Sequence, residues 1–187
     1  MEVINIKKAE RSFILDIARK NSINAAINTR TTFFNLDVSR ELKDLFRMVL
    51  ASKLDKFSKK YYKEQTKQIF LRDVQKLQNE INDRFRESNL FFYDNGFTIG
   101  NSQKVLSVYL KYLWCLDIIP MPPVCPLDRV MLTISQAPYN KRSWGKINSI
   151  DEYLEKYSYL EIAAKKRKLP PPVFELLSFA EDNSLEI

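Results

Sequence analysis

Two residues of this chain, Lys104 and Asp128, have types and positions that could support covalent chemistry. Lys104 lies in the first turn of the most apolar predicted helix, where the positive end of the helix and burial both disfavour a charged ammonium. A lysine that is partly neutral is a nucleophile and can form a Schiff base. Asp128 follows a rigid proline-rich connector and begins the next predicted helix, so its carboxylate has little freedom to move. The sequence therefore allows attack by an amine that a nearby carboxylate supports.

Both residues also have an ordinary structural explanation. A lysine near a helix start is usually solvated, and an aspartate two residues after a proline is more often a helix N-cap than a catalytic group. Arg129, which follows Asp128, could bind a phosphate.

Composition removes most other kinds of active site. The chain has 187 residues and no histidine, which excludes every Ser-His-Asp and Cys-His mechanism. With only two cysteines, Cys115 and Cys125, we expect no metal site, and we expect buried thiols rather than a disulfide. The sequence has no Gly-rich phosphate loop and no dinucleotide fingerprint, so we expect no cofactor. Any enzymatic chemistry must use Lys, Asp, Glu, Tyr or Cys.

The elements that position these residues are predicted to be helices. The chain has only three glycines, whereas turn-dense β folds need many residues with positive φ. Apolar spacing predicts an all-α fold of about seven helices in a single domain over residues 1–187, with possible lobes at 1–95 and 96–187. A helix over residues 102–117 is apolar nearly all round, so the others must surround it. The four prolines between residues 119 and 126 exclude a helix there, and Pro126 is expected to be an early residue of the next one.

The remaining helices are predicted from apolar spacing and from capping residues. Ser39 is the predicted N-cap of the second helix, and the third is expected over residues 63–88. Two more are expected over residues 151–164 and after the prolines at 170–172. The first helix, over residues 10–26, is expected to carry Phe13, Ile14, Ile17, Ala18 and, one turn on, Asn21 along one helical stripe.

Charge favours a polyanionic partner. The formal net charge is +7 and the sequence pI is near 9.3, for which DNA is the simplest partner, although a solvated helical surface has the same composition. No apolar run is long enough to span a membrane and no signal peptide opens the chain, so we expect a cytoplasmic protein without a membrane partner. The candidate phosphate contacts are Arg129, Lys141, Arg142, Lys165, Lys166, Arg167 and Lys168.

An ordered set of features crosses the middle of the chain: a glycine turn, a lysine, an apolar helix, a proline-containing connector and an aspartate. They correspond to Gly96 and Gly100, Gln103-Lys104, Val105 to Leu116, and Pro126-Leu127-Asp128. This order resembles the helix-hairpin-helix DNA glycosylase superfamily, and the archaeal 8-oxoguanine type most closely. The resemblance implies a two-lobed helical fold that flips a base out of duplex DNA. It also implies that Lys104 attacks C1′ while Asp128 supports cleavage of the glycosidic bond.

A second function fits the same sequence. The chain could be a non-catalytic, basic, helical interaction protein that binds nucleic acid or another protein, such as the accessory proteins and inhibitors of phages and mobile elements. Such a protein should keep its affinity after Lys104→Gln and Asp128→Asn, whereas an enzyme should lose turnover and still bind.

Overall fold

The described part of the chain forms seven α-helices and two short 3-10 turns. The computed structural model describes residues 6–27, 33–35, 37–85, 92 and 96–183. Among these residues there is no strand, only an antiparallel β-bridge between Phe34 and Phe92. The prediction of a compact all-α protein with about seven helices is confirmed. The helices are α1 (Ile6–Ile27), α2 (Arg40–Ser58), α3 (Lys67–Phe85), α4 (Ile99–Cys115), α5 (Arg129–Ile134), α6 (Ile150–Lys166) and α7 (Pro171–Asn183), and the turns are Lys59–Tyr62 and Tyr139–Lys141.

Helix α4 lies at the centre of the fold. It packs against α1, α2, α3 and α6, and every residue from Ile99 to Leu110 is buried. The predicted bounds of 102–117 are wrong at both ends. A capping box starts the helix three residues earlier, because the Thr98 hydroxyl accepts from the Asn101 N–H at 3.0 Å and the Asn101 side chain accepts from the Thr98 N–H at 3.2 Å. Lys104 therefore lies in the second turn of α4 rather than the first.

Polar contacts tie the surrounding helices to α4 and to one another. Asp55 of α2 accepts from Arg19 of α1 at 3.1 Å and from the Tyr109 hydroxyl of α4 at 2.9 Å. Lys67 of α3 pairs with Glu161 of α6 at 2.8 Å. These contacts fix how the helices are arranged around α4.

Of the stripe predicted on α1, only Ala18 is buried. Phe13, Ile14 and Ile17 are 67%, 42% and 38% exposed, and all residues from 6 to 14 are exposed. The buried residues lie in the second half of the helix, and several of them are small: Ala18, Ser22, Ile23, Ala26 and Ile27. Because the distance between packed helices depends on the side chains at the contact, small residues let α1 lie close to α4 and direct the larger side chains outward.

Two other boundaries differ from prediction. Helix α3 begins at Lys67 rather than residue 63, because Thr66 accepts from the Ile69 N–H at 3.3 Å and starts a new helix after the 3-10 turn. Helix α5 begins at Arg129 with Asp128 as its N-cap, so Pro126 lies before the helix and not in its first turn. Predicted features at residues 28–32, 36, 86–91 and 93–95 lie outside the described residues.

Serine residues cap two further helices. Ser39 and Ser149 are the N-caps of α2 and α6, where their hydroxyls accept from backbone N–H groups at 3.3 and 3.1 Å. Within the described part of the chain, no helix has both the length and the apolar character needed to cross a bilayer.

Candidate active site

The structure brings Lys104 and Asp128 into direct contact. Lys104 Nζ donates to Asp128 Oδ2 at 2.5 Å, and the two side chains are 10% and 24% exposed. The other carboxylate oxygen, Oδ1, accepts from the Met131 N–H at 2.9 Å and caps α5. Asp128 is thus both a helix cap and the partner of the lysine, because its two oxygens serve different groups. The pair joins the second turn of α4 to the start of α5 and still reaches solvent.

The residues that precede the pair on each side are also bonded to each other. The Gln103 side chain donates to the Leu127 carbonyl at 2.7 Å and accepts from the Leu127 N–H at 3.2 Å. Gln103 and Leu127 are both fully buried. The connector therefore meets α4 at a fixed register immediately before Asp128.

A loop between α5 and α6 covers one side of the pair. The Trp144 ring lies 6.0 Å from Lys104 Nζ, a distance at which an ammonium is attracted to an aromatic face. The Gly100 N–H donates to the Ile147 carbonyl at 3.0 Å and the Thr98 hydroxyl donates to the Gly145 carbonyl at 2.9 Å. This close docking needs a glycine in α4, since a Cβ on Gly100 would lie 2.0 Å from the Trp144 carbonyl oxygen.

A second polar cluster, which the sequence reasoning missed, lies further along α4. Lys111 Nζ is 2.8 Å from Glu175 Oε1 and 4.7 Å from the centre of the Phe179 ring. In α7 the usual burial pattern is reversed: Glu175 and Ser178 are each 4% exposed, whereas Phe179 is 58% exposed. Glu175 Oε2 and Ser178 Oγ have no hydrogen-bond partner in the described structure. The sequence contains one indication of this cluster: Glu175 is the only charged residue between positions 171 and 180.

The two clusters share one face of α4. Lys104, Val108 and Lys111 follow the spacing i, i+4, i+7, which places their side chains in one row. Seven residues of helix span about 10 Å. One end of this row therefore carries Lys104 with Asp128, and the other end carries Lys111 with Glu175.

The thiols are poor candidates for a nucleophile. Cys125 is 1% exposed, its Sγ lies 3.6 Å from the Tyr157 hydroxyl, and burial raises the pKa of this thiol. Partial burial also raises the pKa of Cys115. Both cysteines are free, as expected, but Cys115 is exposed rather than buried because the end of α4 reaches the surface. A nucleophilic cysteine needs a lowered pKa, so these thiols are unsuited to that role.

The aromatic residues in and beside α4 differ in how well they could stack on a base. Phe97 and Tyr109 are 0% and 2% exposed, so they belong to the core and cannot stack on a ligand. Tyr112 and Trp114 are half-buried. Trp144 and Phe179 are the aromatic residues that contact the two lysines of the row.

The predicted phosphate contacts near the pair have different surroundings. Arg129 is exposed at the first position of α5, beside Asp128. Lys141 pairs with Glu155 at 2.7 Å, and Arg142 Nε donates to the Ala137 carbonyl at 2.9 Å. Arg129 is thus the member of this group that is most available to a phosphate.

The other four predicted contacts lie at the far end of α6. Lys165 and Lys168 line an open cavity of about 590 Å³, and Lys166 is exposed. Arg167 instead stacks on Phe174 at 5.4 Å and pairs with an acidic residue of α7 at 3.4 Å. Because Lys156 in the first half of α6 donates to the carbonyl of Ser143 in the loop, this group lies roughly 15 Å along α6 from the loop. The structure does not bring the two groups of cations together.

Among the described residues, no group of three or more His, Cys, Asp or Glu side chains could hold a metal ion. Comparison with protein-family models, with curated proteins and with solved structures finds no match.

Proposed function

We propose that this protein is a DNA glycosylase with lyase activity, in which Lys104 is the nucleophile and Asp128 is the charge-stabilising carboxylate. The observation that carries the proposal is the 2.5 Å contact between Lys104 Nζ and Asp128 Oδ2. An amine and a carboxylate that meet at a partly exposed position of a basic helical protein are the groups that this reaction needs.

The reaction uses the two side chains in order. Lys104 first loses a proton, for which the Asp128 carboxylate is the adjacent acceptor. The free amine attacks C1′ of an extruded nucleotide, and the base leaves with the electron pair of the glycosidic bond and takes the proton that Asp128 accepted, which restores the carboxylate. A second proton of the lysine nitrogen passes to the ring oxygen O4′ as the C1′–O4′ bond breaks. The sugar then opens to a Schiff base between C1′ and the lysine nitrogen. Positive charge on the sugar develops during cleavage, and a carboxylate beside it lowers the energy of that state.

The cluster at Lys111 is suited to hold the extruded base. Lys111 can donate to a base carbonyl, and the buried Glu175 holds the Lys111 ammonium in place from the side of α7. Phe179 offers a 58% exposed ring for stacking. The row on α4 thus has chemistry for the sugar at one end and for the base at the other.

Borohydride trapping tests the nucleophile. The protein is incubated with duplexes that contain a damaged base or an abasic site, and borohydride then reduces any Schiff base to a stable adduct. We expect an adduct with the native protein and none with Lys104→Gln. Asp128→Asn should still fold, since asparagine is an equally good N-cap, and should slow base release by ~100-fold or more.

Lys67→Gln is the matched control. Lys67 also pairs with a carboxylate, at 2.8 Å from Glu161, and lies 4.9 Å from an aromatic ring, that of Tyr157, but it contacts neither Lys104 nor Asp128. It should keep full adduct formation. No adduct with any substrate, together with no DNA binding at low salt, contradicts the proposal.

A non-catalytic interaction protein is the second candidate function. It is favoured by the first turns of α1, where Ile6 and Phe13 are each 67% exposed on a helix that is exposed on every side up to residue 14. Apolar side chains of this kind are typical of a surface that binds another macromolecule. In that case the native protein should form no adduct, and Lys104→Gln and Asp128→Asn should leave the affinity for the partner unchanged.

A further inference from the structure

Gln103 forms a two-point clamp on the backbone of the residue that precedes Asp128. Its amide donates to the Leu127 carbonyl at 2.7 Å and its carbonyl accepts from the Leu127 N–H at 3.2 Å. Each member of the clamp is adjacent in sequence to a member of the reactive pair, since Gln103 precedes Lys104 and Leu127 precedes Asp128. We propose that Gln103 is the positioning residue that holds Asp128 against Lys104. The catalytic importance of this positioning rests on the proposed function.

The same device occurs a second time in the molecule. Asn82 of α3 donates to the Phe97 carbonyl at 2.9 Å and accepts from the Phe97 N–H at 2.9 Å. Phe97 precedes Thr98, the N-cap of α4, just as Leu127 precedes the N-cap of α5. In both places a side-chain amide on one helix fixes the segment that starts the next. Only the clamp at Gln103 also brings a lysine against the capping aspartate.

The clamp, rather than the ion pair, sets this geometry. The connector from residue 116 to 128 has no helix of its own to hold it in place. A partly exposed ion pair contributes little net stabilisation, because water competes for both charges. Gln103 and Leu127 are fully buried, so without the amide the Leu127 N–H and carbonyl lose their partners in a place where unpaired groups are costly. Asp128 can then move away from Lys104.

Gln103→Met tests the proposal, because methionine has a similar length and shape but cannot make either hydrogen bond. The readout is the rate of reductive methylation of Lys104 with formaldehyde and cyanoborohydride, followed residue by residue by peptide mass spectrometry. In the native protein the lysine is held by Asp128 and should react slowly. In Gln103→Met we expect its rate to rise about tenfold, the factor that corresponds to the loss of one buried hydrogen bond.

Asn82→Leu is the matched control, since it removes the other clamp with a side chain of similar shape. It should lower the midpoint of urea unfolding as Gln103→Met does, but leave the methylation rate of Lys104 at the native value. Gln103→Asn keeps the amide on a shorter side chain that cannot reach both backbone groups. Its Lys104 rate should fall between those of the native protein and Gln103→Met, which provides a second variant if the methionine variant does not fold.

Measurements of adduct formation distinguish a positioning role of Gln103 from a purely structural one. With a cleavable duplex, Gln103→Met should slow single-turnover adduct formation at saturating protein without changing the Kd for DNA, and Asn82→Leu should change neither. Equal methylation of Lys104 in the native, Gln103→Met and Gln103→Asn proteins overturns the positioning role. If the native protein forms no adduct, the proposed function fails, but the methylation experiment still decides what Gln103 does.

Discussion

Gly100 lies where the backbone of α4 meets the loop that covers the candidate active site. A Cβ at this position would be 2.0 Å from the Trp144 carbonyl oxygen, and neither backbone can move freely because the Gly100 N–H also donates to Ile147. We expect Gly100→Ala to push the loop away and to reduce the free energy of unfolding by about 1–3 kcal/mol, measured by urea titration. Adduct formation should also slow, because Trp144 moves away from Lys104.

Gly145→Ala is the control for this prediction, since nothing lies within 4 Å of a Cβ at Gly145. This substitution in the same loop should change the free energy of unfolding by less than about 0.5 kcal/mol. If both variants are equally unstable, the loop tolerates no substitution at all, and the contact at Gly100 is not the cause.

Residue types and positions in the sequence indicated the pair of Lys104 and Asp128, but not the residues that surround it. These two residues could be identified from the sequence because the apolar helix and the proline connector contain few other polar residues. Glu175 could not, because its burial depends on how α7 is rotated against α4. Lys141 was predicted to contact phosphate, yet its pairing with Glu155 depends on a loop whose path no local pattern specifies.

At the scale of elements, α7 buries polar side chains in a pattern that does not contribute to stability. It buries Glu175 and Ser178, with one unpartnered oxygen on each, and exposes Leu177 and Phe179. Unpaired buried polar atoms are costly, so this arrangement favours a role in binding. We expect Glu175→Leu to destabilise the protein by about 1–3 kcal/mol, because Lys111 then loses its partner.

The double variant Lys111→Met/Glu175→Leu gives the decisive comparison. Replacing both members of a largely buried ion pair by apolar residues is often neutral or stabilising, so we expect at least native stability in thermal unfolding. Under the proposed function, base excision should nevertheless be lost, because Lys111 no longer offers a donor for the base. A double variant as unstable as the single one implies instead that the pair holds α7 to α4.

Helix boundaries could be predicted where neighbouring residues in the sequence determine them. They were harder to predict, as were the buried faces, where packing between helices determines them. The caps at Ser39 and Ser149 and the non-helical connector follow from short-range rules that hold in any context. The start of α4 was missed because Thr98 and Asn101 form a capping box across a glycine that resembles a turn signal. The apolar stripe of α1 is largely exposed because close packing against α4 favours small residues over large apolar ones.

On the scale of the whole molecule, the net charge is +7 and the predicted phosphate contacts lie in two separate groups. Composition predicted a basic protein, but it could not show which cations are already neutralised. Lys141 is paired with Glu155, and Arg167 is paired with α7, whereas Arg129 is exposed beside the reactive pair. Lys165 and Lys168 line a cavity at the far end of α6, about 15 Å along the helix from the loop. That distance corresponds to roughly four to five base pairs of duplex.

The salt dependence of DNA affinity shows whether one duplex reaches both groups. Each phosphate contact contributes about 0.9 to the slope of log K against log salt. We expect Arg129→Ala to reduce the slope by about 0.9 and Lys165→Ala/Lys168→Ala to reduce it by about 1.8, measured by fluorescence anisotropy with an undamaged duplex. Lys141→Ala is the control and should change the slope less, because Glu155 already balances that charge. If only Arg129→Ala changes the slope, the duplex does not extend along α6, and the lysines at its end serve to stabilise the helix terminus.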